Sequence, residues 1–532
     1  MVQEITIHDL KRMRDGGVRH ALLDVRERGE IYLQQIFGAT PVPRGSLELR
    51  VPALLPVKDL PVVLICSDGR RARLAATTLE GMGYQNVRPI AGGIRAWAEA
   101  DYPTVEGTGV PGKEYGEKVA VTRKVPQITP EELVARQEGG EKFLILDSRT
   151  GLEYQRAHLP GAYSAPGGEL PFVIYGLAPD PNITIVVNCA GRTRSILGAN
   201  LVLSMGLPNR VYAFKNGTMA WEMAGFQLER GEGRPKLPTS EKAREEAEGF
   251  ARRVAGEDGL STLSVEGLRR LQESRELHYL VDVRLPEEYL QGHIPGAVSF
   301  TAGQVALNSE DIVAVQDAPV VFVCDRQARA TLAASTFTRM GFPNVRLLEG
   351  GLEAWQAAGL PLEEGMPSLS VFDLEAAMEQ VDSTPAPQLK ARMDRGERTT
   401  LLDVRSSAEY ALGHIPGSLH IARGNLEQEC AEMLPDRETP VVTICDSGIR
   451  STLAAATLRG LGFSRISILE GGIDGWQRAG LPMEEGLQGS QATLEFAKFD
   501  IETIKRTGIL SRSQADMVQY LTWEEKLGEK YA

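Results

Sequence analysis

The sequence predicts an α/β protein made of four tandem domains, each a small parallel sheet with helices on both faces, followed by a C-terminal helical tail. Three observations predict it. One pattern recurs four times at domain-sized spacing, short apolar runs alternate with helical patterns inside each copy, and 532 residues exceed what one core holds at roughly 100 to 200 residues per domain. The copies span residues 1–105, 125–232, 258–365 and 384–487, and residues 488–532 hold no copy.

Each copy opens on an apolar run ending in Asp-x-Arg: Asp24/Arg26, Asp147/Arg149, Asp282/Arg284 and Asp403/Arg405. A short apolar run of this kind reads as a buried strand. A cysteine follows at a constant distance, since 66 − 24, 189 − 147, 324 − 282 and 445 − 403 all equal 42. A second apolar run, such as Val62 to Ile65 or Val441 to Ile444, leads directly into that cysteine and reads as the next strand. A helical pattern comes after it, for example Ser451 to Leu461, and it closes at Gly83, Gly206, Gly341 or Gly462, where a C-terminal cap is expected. A further strand, Val345 to Leu348 in the third copy, precedes a Gly-Gly pair and a short helix carrying Trp97, Trp221, Trp355 or Trp476, read as core residues. Strands alternating with helices imply a parallel sheet, and the cysteine falls at a strand's carboxyl end, where such sheets place ligand sites. Between copies, 104–127 looks irregular, 237–256 is charged and predicts a surface helix, and 383–388 is a Pro-rich linker; 514–527 predicts an amphipathic helix that packs on a neighbour.

Composition narrows the function. Lys and Arg total 58 against 71 Asp and Glu, so 58 − 71 = −13, a balance that disfavours nucleic-acid binding. No apolar run approaches the roughly eighteen residues of a membrane span, and Met1 to Arg12 lacks a signal-peptide core, so the expected location is cytoplasmic. Five cysteines with no Cys-x-x-Cys pair exclude a disulfide-stapled domain and give no structural metal site. Cys430 has no counterpart in the other copies and reads as an ordinary thiol.

The chemistry lies in four loops, Cys66 to Arg71, Cys189 to Arg194, Cys324 to Arg329 and Cys445 to Arg450, all Cys-x4-Arg between strand and helix. A short loop at a helix start turns backbone N–H groups inward and cradles an anion. The same field favours thiolate over thiol, which makes Cys66, Cys189, Cys324 and Cys445 candidate nucleophiles. Arg71, Arg194, Arg329 and Arg450 supply a forked donor for an oxyanion, and Gly69 and Gly448 supply close backbone approach. The Asp-x-Arg pairs, Asp24/Arg26 and Asp403/Arg405 among them, read as buried ion pairs that support the loop.

These residues resemble the rhodanese family of sulfurtransferases. The likeness includes Gly292-His293-Ile294-Pro295-Gly296-Ala297, matched by Gly413 to Gly417 and more loosely by Ala157 to Gly161, and Glu-Gly-Gly-x-x-x-Trp in the third and fourth copies. It implies that the cysteine takes a sulfane sulfur from thiosulfate or a similar donor, holds it as a persulfide, and passes it to cyanide or a thiol. It implies no cofactor, and makes His158, His293 and His414 turn residues. The related phosphatases and arsenate reductases carry Cys-x5-Arg, so loop length favours sulfur over phosphate. Two alternatives stay open: a persulfide carrier delivering sulfur to a thioredoxin-like or other protein client, and a preference for 3-mercaptopyruvate.

The copies differ. Twenty residues past the Asp stand Arg44 and Arg423, where the family often places a substrate-facing arginine, but Gly167 and Ala302 in the second and third copies. The first copy has Gln35 in place of the histidine, the third loop has no glycine, and Asn216-Gly217 replaces Gly-Gly in the second. The expected ranking puts Cys445 first, Cys66 next and Cys324 last.

Overall fold

The computed structural model describes residues 2–177, 180–232, 240–367, 370–492 and 513–532. They form four sheets in which every strand pair is parallel. In the fourth copy the order across the sheet is Asp382–Thr384, Ile466–Leu469, Val441–Ile444, Thr400–Asp403 and Leu419–His420. The second and third sheets have the same five-strand order, whereas the first has four strands and keeps only an isolated bridge, Ile5 to Ile90, at that edge.

Parallel strands are buried on both faces, and the sequence alternation shows how. In the second sheet Leu144, Leu146, Ile185 and Val187 enter one apolar cluster, while Ile145 and Val186 enter another on the opposite side. The register then fixes the site. Asp24, Asp147, Asp282 and Asp403 pair with Ile65, Asn188, Val323 and Ile444, so each cysteine stands one residue beyond the end of its strand.

Residues 1–108 with 368–510 form one compact unit, and 109–367 with 511–532 form another. The first and fourth copies thus share a unit, as do the second and third. Three segments differ from expectation. The stretch 104–127 contains the helix Val110–Thr122. Its Gly112 and Gly116 lower helix propensity, yet they let the helix lie against the Ala306 backbone and Thr193, and packing prevails. Residues 383–388 are no linker either: Asp382–Thr384 is a strand, and Ala386–Asp394 is a helix whose first turn holds Pro387, where a missing N–H costs nothing.

The charged stretch forms the helix Glu241–Glu257, and 237–239 lie outside the described residues. Its Ala243, Ala247, Phe250, Ala251 and Val254 are buried, so it is a packed element rather than a surface one. In the tail, Gln514–Lys526 is a helix that seats Tyr520 and Leu521 on Met219, and 493–512 lie outside the described residues. Among the described residues no helix is long and apolar enough to cross a membrane.

Candidate active sites

Each loop is held from behind by the Gly-Gly turn. The cysteine carbonyls accept from Ile94, Thr218, Leu352 and Ile473 N–H at 2.8 to 2.9 Å. Gly93, Gly217, Gly351 and Gly472 all have positive φ, and a Cβ there would collide with the loop backbone. A glycine is therefore obligatory at that place, whereas the residue before it also accepts Asn216, which tolerates the left-handed region at φ 61°.

The surroundings of the sulfur separate the copies. Gly69 at φ 93° donates its N–H to Cys66 Sγ at 3.1 Å, and Ala72 N–H adds a second bond at 3.3 Å. Gly448 at φ 110° likewise donates to Cys445 Sγ at 3.1 Å, with Ser451 Oγ at 3.4 Å from the sulfur. At the same place the second and third loops have Arg192 at φ −120° and Gln327 at φ −142°. Only the left-handed turn aims that N–H at the sulfur. Cys324 Sγ accepts instead from Ala330 N–H at 3.4 Å.

The expectation that the loop favours thiolate is corrected in three copies. Burial pushes the Cys189, Cys324 and Cys445 thiols above their ordinary value, and Asp325 and Asp446, each next in sequence to its cysteine, push the latter two further up. The first loop has Ser67 at that position.

The closing arginines are gripped by carboxylates that the sequence reading missed. Arg71 forks onto Glu30 at 2.6 and 2.5 Å, Arg194 onto Glu153 at 2.8 and 2.8 Å, Arg329 onto Glu288 at 2.6 and 2.9 Å, and Arg450 onto Glu409 at 2.7 and 2.8 Å. Burial alone would raise the Glu30 and Glu153 carboxyls, but the arginines outweigh it and hold both below the usual range. The signal was present: a Glu stands 41 residues before the arginine in every copy. The arginine thus locks loop to helix and contributes its charge from that position.

Each Asp-x-Arg pair is a buried fork. Arg26 Nε and Nη2 donate to Asp24, and Nη2 also reaches Gln34 O; Arg405 does the same with Asp403 and Gly413 O. The strand end is thereby tied to the turn that follows the next helix. His158, His293 and His414 stack on Tyr154, Tyr289 and Tyr410 and pair through backbone with Glu229, Glu363 and Glu484. Gln35 makes the equivalent backbone bridge, to Val105, without the ring.

Arg44 and Arg423, read from sequence as substrate-facing, sit in the joint between the first and fourth domains. Arg44 is paired with Glu427 and with Gly424 O, and Arg423 reciprocally with Glu48 at 2.8 and 2.7 Å and with Gly45 O. Gly45 and Gly424 stand so close that a Cβ on either would meet the other's backbone nitrogen at 3.3 or 3.2 Å. Sequence periodicity inside one copy cannot reveal pairing with another. Across this joint Asn425 Oδ1 accepts from Arg71 Nη1 at 2.9 Å, so a residue of the fourth domain reaches the arginine of the first loop.

In the other unit both loops carry extra carboxylates. Glu248 accepts from Gln327 and Ala328 N–H at 3.4 and 3.1 Å, and Arg329 is shared among Glu288, Glu169 and Asp325. In the second loop Thr193 Oγ1 donates to Glu524, while Arg192 pairs with Glu117 and Glu525. Among the described residues no group of three or more His, Cys, Asp or Glu could hold a metal ion.

A family model described as the Rhodanese-like domain matches residues 6–100, 129–224, 264–358 and 385–479, more than half of the chain. The crystal structure of a thiosulfate sulfurtransferase from Pseudomonas aeruginosa is 33% identical with a TM-score of 0.86, covering 99% of this chain and 98% of that one. Single-domain relatives match part of the chain. A thiosulfate sulfurtransferase GlpE from Actinobacillus pleuropneumoniae is 34% identical over 99 residues, 19% of this chain and 90% of its own. A sulfurtransferase from Allochromatium vinosum is 37% identical over 103 residues, 19% and 94%.

Proposed function

Because the chain belongs to the rhodanese family of sulfurtransferases, with four rhodanese-like domains in tandem, we propose that it moves a sulfane sulfur from thiosulfate or a similar donor to cyanide or a thiol, through a persulfide on Cys66 and on Cys445. The observation that carries this reading is the pair of loops in which a left-handed glycine aims its N–H at the cysteine sulfur. A donated N–H stabilises a charged sulfur more than a neutral one, so it favours both the attacking thiolate and the same thiolate when it leaves.

The chemistry balances in two steps. The thiolate attacks the outer sulfur of thiosulfate, a new S–S bond forms, the old one breaks, and sulfite leaves with the electron pair. The acceptor, cyanide or a thiolate, then attacks the outer sulfur of the persulfide and regenerates the cysteine thiolate. Glu30 and Glu409 act through Arg71 and Arg450, which fix the loop over the sulfur. The names of the full-length structural relative and of the Actinobacillus pleuropneumoniae relative support thiosulfate as donor.

The test is thiocyanate formation from thiosulfate and cyanide by the intact chain and by the double variant Cys66→Ser/Cys445→Ser. Loss of turnover in a folded double variant supports the reading, and retained turnover overturns it. Efficient hydrolysis of an aryl phosphate by the intact chain would favour the phosphatase chemistry that the loop length argues against.

A further inference from the structure

The second domain's cysteine loop holds a carboxylate brought from the far end of the chain. Glu524, on the helix Gln514–Lys526, is only 1% exposed, and Thr193 Oγ1 at the start of the loop's helix donates to its Oε1. Its other oxygen, Oε2, is buried and makes no hydrogen bond among the described residues. That oxygen points at the loop, since a Cβ on Gly191 would stand 3.3 Å from it. Burying a carboxylate oxygen without a partner is costly, so the packing that places it there must overcome that cost. The packing is visible: Tyr520 and Leu521 cover Met219 beside the loop, and Glu525 holds Arg192 at 2.6 Å.

A loop of this kind cradles an anion. We propose that Glu524 occupies the donor-anion place of the second domain, so that the C-terminal helix is a stopper keeping Cys189 silent in the intact chain. The inference rests on the sulfur-transfer reading above. A carboxylate in the cradle excludes a second anion by space and by charge. Burial, and in the same direction the Glu524 charge, hold the Cys189 thiol above its ordinary value. The third domain carries the same device in another form, with Glu248 of the helix Glu241–Glu257 taking the two N–H groups at the start of its loop helix. There Asp325, next to the cysteine, also opposes the thiolate and stays when Glu248 is removed, whereas the second loop has Ala190 at that place.

The experiment treats the full-length chain and its Glu524→Ala variant with thiosulfate and reads sulfur addition peptide by peptide, with Cys66 and Cys445 as references in the same sample. Glu524→Gln, which keeps the size and removes the charge, serves if the Ala variant melts early. In the intact chain Cys189 should stay unmodified; in either variant its loading should rise at least about tenfold, which corresponds to ~1.4 kcal/mol of released repulsion. Equal loading of Cys189 and Cys66 in the intact chain would overturn the stopper. So would an unloaded Cys189 in both folded variants while Cys66 and Cys445 load. If no cysteine loads in any sample, it is the sulfur-transfer reading that fails.

Discussion

Replacing Gly448 by alanine isolates the contact on which the sulfur chemistry rests. An added Cβ at this position meets nothing within 4 Å, so any effect comes from the backbone and not from crowding. At φ 110° an alanine is strained by about 1–2 kcal/mol. The loop can relieve that strain by turning the peptide between Ser447 and residue 448. The carbonyl of residue 448 need not move, since it accepts from Thr452 N–H, Ser451 Oγ and Thr452 Oγ1 at 3.0, 2.9 and 2.8 Å. Turning the peptide removes the N–H from Cys445 Sγ. A hydrogen bond to a charged acceptor contributes roughly 1.5–3 kcal/mol, so persulfide formation at Cys445 should slow about 10- to 150-fold at ~1.4 kcal/mol per decade. The assay quenches thiosulfate reactions at intervals and follows the Cys445 peptide by mass, with Cys66 as internal reference. Loading of Cys445 at the unsubstituted rate in a folded Gly448→Ala chain would refute the reasoning.

Arg450→Lys keeps the charge but loses the fork onto Glu409, so Cys445 loading should fall about tenfold; unchanged loading would make the fork irrelevant. Since burial holds the Cys445 thiol above its ordinary value, its loading should keep rising with pH through and beyond about 8.5, and a plateau below neutral pH would contradict this. Arg423→Ala leaves Glu48 buried without its partner and should cost about 3 kcal/mol, somewhat less than a fully enclosed charge because both groups keep some exposure, measured as a shift in the urea midpoint. Burial alone would raise the Glu48 carboxyl, but Arg423 outweighs it and lowers it, so the pair's stability is complete above the ordinary carboxyl range near 4.3 and drains away as pH falls below it. Melting temperatures that stay flat down to pH 3 would show the pair to contribute nothing.

Much of this was legible because it repeats. The strands, the cysteine register and the Gly-Gly turn recur at fixed spacing, and local patterns suffice to place them. The fork between Glu409 and Arg450 was equally legible, four times over, but a Glu in a helix's first turn is ordinarily read as a cap, and it is one here as well. What sequence could not disclose are pairings between copies and with segments outside them. Arg423 meets Glu48 across 375 positions and Thr193 meets Glu524 across 331, and no period connects such residues. The balance at the sulfur was illegible for a different reason: the loop's donors can be inferred from spacing, but burial and the Asp446 charge that oppose them depend on the packed structure.

On the proposed function, the first and fourth domains carry the sulfur. Peptide mass analysis of the intact chain after thiosulfate tests it most directly. The peptides containing Cys66 and Cys445 should each be heavier by one sulfur, with those of Cys189, Cys324 and Cys430 unchanged. Sulfur on Cys324 or Cys430 while Cys66 and Cys445 remain bare would contradict it.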